Sequence, residues 1–235
     1  MTFEDAATLG VGITTVGQGL YQSLGLPLPG ADVKANFPIL IYGGSSATGT
    51  LAIQYARLSG CSKIITTCSP RNFDLVKSLG ADIALDYNDP QCAQKIRDYT
   101  NDSLEHALDC ISTKESAEIS SSAIGPKGGV VSYLLSVKHD REDVEVKFTL
   151  GYSVTGEAFS YGHAQKWKFA PKPEDFEFGK EFWGLTEKLL ADGRVKPHPA
   201  EVGEGGLEGV FKGLQAMREG RVSGKKLVYR VDETQ

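Results

Sequence analysis

Residues 39–57 run from the apolar segment Ile39 to Tyr42 through the small-residue turn Gly43-Gly-Ser-Ser-Ala-Thr-Gly49 and straight on into a helical pattern. Small residues let a backbone come close to a phosphate, and the free N–H groups and positive dipole end of the following helix then face the anion. Aligned to G-x-G-x-x-G, the turn reads Gly44, Ser45, Ser46, Ala47, Thr48, Gly49, with serine in place of the middle glycine. The chemistry this points to is capture of a dinucleotide pyrophosphate.

A second group lies at the end of the next apolar segment, in Thr67-Cys-Ser-Pro-Arg-Asn72. Folds that prefer NAD place an acid there, about 20 residues past the glycine turn, to bind the ribose 2′-hydroxyl. No acid is present, whereas Ser69, Arg71 and Asn72 can donate to a 2′-phosphate, and a guanidinium matches phosphate geometry. NADPH is therefore expected in preference to NADH. The cysteines Cys61, Cys68, Cys92 and Cys110 form no C-x-x-C pair, and His106, His139, His163 and His198 are scattered. No metal site is expected from such spacing, and Cys68 and Cys110 read as small buried hydrophobes at strand ends.

The elements that must position these groups alternate regularly. Strands are predicted over 38–42, 63–68, 83–86, 106–110 and 129–134, with helices over 47–59, 72–79, 92–99 and 115–124 between them. Five such strands with intervening helices imply a doubly wound parallel sheet, an α/β Rossmann fold. Its strands are apolar without strict alternation, as expected when helices cover both faces. Ligands of these sheets lie beyond the carboxyl ends of the strands. That rule nominates 43–49, 68–72, Asp86 and Tyr87, 110–112, and 133–135. The chain divides into a leading helix and linker (1–35), the nucleotide-binding domain (36–160), and carboxyl-terminal helices and strands (161–235).

Composition narrows the class of partner. The 235 residues carry a net charge of −5 and are 40 % hydrophobic. This disfavours a nucleic-acid or anionic-membrane surface. No apolar run approaches the ~18 residues of a membrane span, and the first residues lack a signal-peptide pattern, so a cytoplasmic location is expected.

Several further motifs occur in order: Lys77-Ser-Leu-Gly-Ala-Asp82, Asp86-Tyr87, Ala107-Leu-Asp-Cys110, Gly128-Gly-Val-Val-Ser132 and Gly224-Lys-Lys-Leu-Val-Tyr-Arg-Val231. With the glycine turn, they resemble the zinc-independent medium-chain dehydrogenase/reductases. Within that superfamily, Leu24-Gly-Leu-Pro-Leu-Pro29, Tyr42-Gly-Gly-Ser45, Thr67-Cys-Ser-Pro70, Asn72-Phe-Asp-Leu75 and Cys92-Ala-Gln94 with Ile96-Arg97 make the chain most similar to the trans-acting enoyl reductases of fungal polyketide biosynthesis.

The resemblance implies NADPH-dependent reduction of the carbon–carbon double bond of an α,β-unsaturated acyl thioester, carried by a polyketide synthase. By the same resemblance Gly44 and Ser45 to Thr48 contact the pyrophosphate. Ser69, Pro70, Arg71, Asn72 and Tyr87 take the 2′-phosphate end, Leu134 and Leu135 the nicotinamide end, and Arg221 and Val222 close over the cofactor. Thr15 lies beside nicotinamide and substrate, as the residue nearest the chemistry. Ile13 and Thr14, in the segment 13–20, and Tyr152, Ser153, Val154, Thr155 and Gly156 form the substrate walls.

The family also has an amino-terminal, mostly β domain ahead of the nucleotide fold, which this sequence does not contain, so a truncated or split reductase is expected. Residues 193–199 and 226–231 resemble strands that return to pack on that domain, and edges left uncovered invite self-association. Two other readings stay open: a quinone or enone oxidoreductase using free small substrates, and a non-catalytic NADPH-binding protein. The aromatic segment 159–178 either lines a long acyl site or forms a surface loop on a helix over 181–190.

Overall fold

A computed structural model describes residues 1–234, apart from the side chain of Gln165. Its centre is a six-stranded, wholly parallel sheet made of β1 (Pro38–Tyr42), β2 (Lys63–Thr67), β3 (Ile83–Leu85), β4 (His106–Asp109), β5 (Gly129–Tyr133) and β6 (Val144–Phe148). The order is β3-β2-β1-β4-β5-β6, the doubly wound arrangement in which the strand order reverses beside β1. The expected fold class holds, with β6 an addition to the five expected strands. β6 is an edge strand, hydrogen-bonded to β5 alone, and it carries exposed Glu145 and Val146. Its mixed charged and apolar residues gave it none of the continuous apolar signal of its neighbours.

Before the sheet come α1 (Phe3–Ala6), α2 (Gly10–Gly17) and a π-helical turn over Gln18–Ser23. The crossovers are α3 (Ala47–Leu58), α4 (Phe73–Ser78), α5 (Cys92–Thr100) and α6 (Lys114–Ala123). Alternate residues of β1 feed two cores, one on each face. Ile39 and Ile41 join Ile13, Val16, Leu51, Tyr55 and Phe182, while Leu40 joins Ile65, Ile96, Ala107 and Val131. The period-2 projection of strand side chains explains this division.

After the sheet, the short strands β7 (Phe159–Tyr161) and β8 (Trp167–Phe169) form an antiparallel hairpin, followed by α7 (Pro173–Ala191). Phe159 stacks on Phe169 at 4.9 Å. The aromatic segment is thus a self-stacked hairpin leading into a helix that begins eight residues earlier than Glu181, with Pro173 in its first turn. Phe176 and Phe178 belong to that helix. Phe182 of α7 meets the rings of Tyr21 and Tyr55 at 5.3 and 5.2 Å, which ties α7 and the leading segment to α3. Segment 1–35 and α7 with Val195 therefore share one core with the sheet.

The chain closes with β9 (Ala200–Gly203), α8 (Gly206–Arg218) and β10 (Lys226–Tyr229), the two strands pairing in parallel. The expected strand over 193–199 is absent. Pro197 and Pro199 lack the N–H a ladder needs, and pairing begins only at Ala200.

Candidate coenzyme cleft

The turn after β1 is built by two glycines that accept no side chain. A Cβ on Gly44 would stand 1.9 Å from Thr66 Oγ1 of β2, and one on Gly49 would stand 2.3 Å from the Gly43 carbonyl oxygen. Ser46, at the middle-glycine position, is the N-cap of α3, and its Oγ accepts from the Gly49 N–H at 3.0 Å. The serine therefore caps the helix. The Ser46 N–H donates to the Gly43 carbonyl. Among the described residues, the N–H groups of Ala47 and Thr48 have no acceptor, and they are the groups a helix start offers to an anion.

This turn opens onto a cleft of about 1060 Å³ at the carboxyl ends of β1, β2 and β4. The volume matches the upper range of ligand pockets. Ser45, Ser46, Ala47, Ser69, Arg71, Tyr87 and Val222 all line it, so residues from four separate segments meet as expected. At the end of β2 the hydroxyls of Ser69 and Tyr87 lie 3.2 Å apart. Arg71 donates through Nε to Ser223 Oγ at 3.1 Å, and Asn72 donates through Nδ2 to the same oxygen at 2.9 Å. The donor set, two hydroxyls and a guanidinium without an acid among them, suits a phosphate monoester.

Gly44 and Thr48 stand behind the lining as part of the turn, and Pro70 begins the short helical turn Pro70–Asn72 that aims Arg71. Arg221 does not reach the cleft. It is exposed and ion-paired with Glu219, leaving Val222 to cover the opening. Leu134 and Leu135 do not line the cleft either: the Leu134 N–H donates to Ser112 Oγ at 2.8 Å, and Leu135 is exposed.

Sequence reasoning missed three features of the site. His198 is buried on the cleft wall, with Nδ1 2.9 Å from Thr50 Oγ1 of α3. Burial pushes its imidazole down to about 4, with the Lys225 backbone opposing and Lys226 adding to the shift. Asp109, at the end of β4, is fully buried and accepts from the Ile111 and Ser112 N–H groups and from Ser116 Oγ. Burial raises its carboxyl while those hydrogen bonds oppose the rise. The third feature is how far the strap 220–227 extends past Val222, since Ser223 to Leu227 also line the cleft. A single acid after a strand and a histidine between two prolines were visible, but nothing local marked their roles.

On the other side, Thr15 is nearly buried, and a Cβ on Gly151 would come within 3.0 Å of its Oγ1. Thr15 and the turn Gly151–Thr155 are thereby adjacent. Thr14 Oγ1 accepts from Trp183 Nε1 at 3.2 Å. Ile13 is fully buried in the core, so it supports the wall rather than facing a substrate. Ser153 and Val154 also turn inward. Ser153 accepts from Gln18 Nε2 at 2.8 Å and donates to Asp175, and Val154 packs against Gly179 of α7. Tyr152, Thr155 and left-handed Gly156 stay at or near the surface. A smaller cavity of about 300 Å³, lined by Gln18, Ser153 and Asp175 among others, lies beside this network.

The cysteines pair with nothing: Cys61, Cys68, Cys92 and Cys110 are free, and burial raises every one of their thiols. Among the described residues no three His, Cys, Asp or Glu side chains gather to hold a metal, and no helix is long and apolar enough to cross a membrane.

A parallel sheet in this order, with a glycine turn opening onto the cleft, defines a dinucleotide-binding Rossmann fold. A family model described as zinc-binding dehydrogenase matches residues 47–170. The trans-enoyl reductase resD of Aspergillus sclerotiorum is 44 % identical, with 98 % of this chain and 68 % of that protein covered. The chain belongs to the zinc-binding dehydrogenase family, the medium-chain dehydrogenase/reductases, and within it to the trans-enoyl reductases. The dual trans-enoyl reductase/FAD-dependent monooxygenase tazHJ of Aspergillus terreus is 65 % identical over 94 % of this chain, and trans-enoyl reductase ACTTS2 of Alternaria alternata is 50 % identical over 99 %. The chain spans 31 % and 66 % of those two proteins' lengths. Among solved structures, JamJ enoyl reductase aligns with a TM-score of 0.71 at 14 % identity, over 98 % of this chain and 64 % of that one, a likeness of fold.

Proposed function

We propose that this chain binds NADPH and supplies the cofactor side of an enoyl reductase that saturates an α,β-unsaturated acyl thioester presented by a polyketide synthase. The observation that carries this reading is the convergence, in one cleft, of the glycine turn at α3 with the Ser69, Arg71 and Tyr87 cluster at the β2 end. When bound, the nicotinamide supplies a hydride for the β-carbon of the substrate. The chain's own residues orient and stabilise. The Ala47 and Thr48 amides and the dipole of α3 hold the pyrophosphate, and the Arg71 guanidinium with the Ser69 and Tyr87 hydroxyls holds the 2′-phosphate.

Thr15 is the residue we assign as donor to the oxygen that becomes negative as the enolate forms, a role supported by its position beside Gly151 at the edge of the turn Gly151–Thr155. The relatives named as trans-enoyl reductases favour a synthase-bound thioester over free enones. The test combines nucleotide titration with turnover. NADPH is expected to bind more tightly than NADH, and an enoyl thioester on a carrier protein is expected to drive NADPH oxidation. Binding of neither nucleotide overturns the reading. Turnover of simple quinones with none of thioesters favours the quinone reductase reading, and binding without any turnover favours a non-catalytic nucleotide-binding chain.

A further inference from the structure

We infer that Ser223 is a positioning residue for cofactor selectivity, its hydroxyl holding Arg71 and Asn72 in the orientation that selects a 2′-phosphate. The inference rests on the cleft being an NADPH site. Two donors from the end of β2 converge on one oxygen of the strap, Arg71 Nε at 3.1 Å and Asn72 Nδ2 at 2.9 Å, across 152 and 151 positions of sequence. Such convergence is costly to arrange by chance, because a long exposed arginine stem loses its rotamer freedom to make it.

The geometry of the fork explains the use. Arg71 spends Nε on Ser223 and keeps both terminal nitrogens, the pair that engages a phosphate in bidentate fashion. The Ser223 hydroxyl accepts both bonds and so fixes the guanidinium against the strap. The fork then faces the anion.

The strap is held at this distance by its own backbone. Gly224 adopts φ +68°, and a Cβ there would stand 2.6 Å from Asn72 Oδ1, so the strap lies directly against the β2 end. Beyond it the Lys226 N–H donates to the Pro199 carbonyl at 2.8 Å, and Lys225 pairs with Glu201 of β9. One end of the strap is anchored by β10 and the other is the end of α8. Ser223 lies between them, and it is the strap side chain that reaches the residues reading the phosphate.

Calorimetric titration of wild type, Ser223→Ala, Ser223→Thr, Arg71→Ala and the Ser223→Ala/Arg71→Ala double variant with NADPH, NADH and 2′,5′-ADP tests this. Ser223→Ala is expected to weaken NADPH and 2′,5′-ADP by about tenfold and NADH by less than about twofold. Ser223→Thr, which keeps the hydroxyl, is expected to restore NADPH affinity. The double variant is expected to bind NADPH no more weakly than Arg71→Ala, since the serine acts through the arginine. Equal loss of NADPH and NADH affinity, or additive losses in the double variant, overturns the inference while leaving the NADPH reading intact. A wild type that binds both nucleotides equally overturns that reading and the inference with it.

Discussion

The unpartnered amides of Ala47 and Thr48 make the pyrophosphate end of the cleft sensitive to a single charge. Ala47→Glu places a carboxylate at the start of α3, and NADPH affinity is expected to fall by about 100-fold or more in calorimetry. Thr15→Val keeps the shape of the side chain without its hydroxyl. Its expected effect is a roughly 100- to 1000-fold lower kcat for enoyl thioester, on the order of one lost oxyanion donor, with NADPH affinity unchanged.

His198 imposes a pH dependence whose direction follows from its burial. The folded imidazole stays neutral to about pH 4, whereas the unfolded chain takes up that proton near 6.5. Stability from this residue is complete above pH 6.5 and declines as pH falls toward 4, by roughly 3 kcal/mol in all. Melting curves between pH 7 and 4.5 are expected to show this slope in wild type and a shallower one in His198→Gln.

At the scale of elements, each loop of the cleft is held by a buried contact at a strand end. Asp109 closes the loop after β4 with three acceptances, and Asp109→Ala removes the acceptor of the buried Ser112 N–H and of the Ile111 N–H. A loss of about 3 kcal/mol in denaturant unfolding is expected, with a further loss of nucleotide affinity because Ile111 and Thr113 line the cleft. The β1 to β5 pattern, the glycine turn and the crossover helices were all legible in the sequence, because burial on both faces writes a continuous apolar run. Other elements were not. β6 is an edge strand with one bonded side, α7 begins in a segment whose aromatics also suit a loop, and the strand placed at 193–199 is displaced by Pro197 and Pro199 to Ala200–Gly203.

At the scale of the whole molecule, an apolar stripe runs along α8. Leu207, Phe211 and Leu214 are exposed at helical spacing, Phe211 to 75 %. Stripes of this kind promote association. The chain on its own is expected to self-associate with rising concentration in light scattering, and Phe211→Glu is expected to reduce that association without altering NADPH affinity.

The sequence by itself determined the five central strands, the turn that approaches a phosphate and the absence of an acid at the β2 end. These are local properties, written in residue periodicity and in what a turn will accept. Tertiary structure alone decided that Ser223 reaches Arg71, that His198 packs on Thr50, that Ser153 turns inward to Gln18 and Asp175, and that Leu134, Leu135 and Arg221 stand off the cleft. The Ser223–Arg71, His198–Thr50 and Ser153–Gln18 contacts join residues more than a hundred positions apart. Such pairings depend on how the carboxyl-terminal segments fold back over the sheet, and no spacing along the chain encodes that distance.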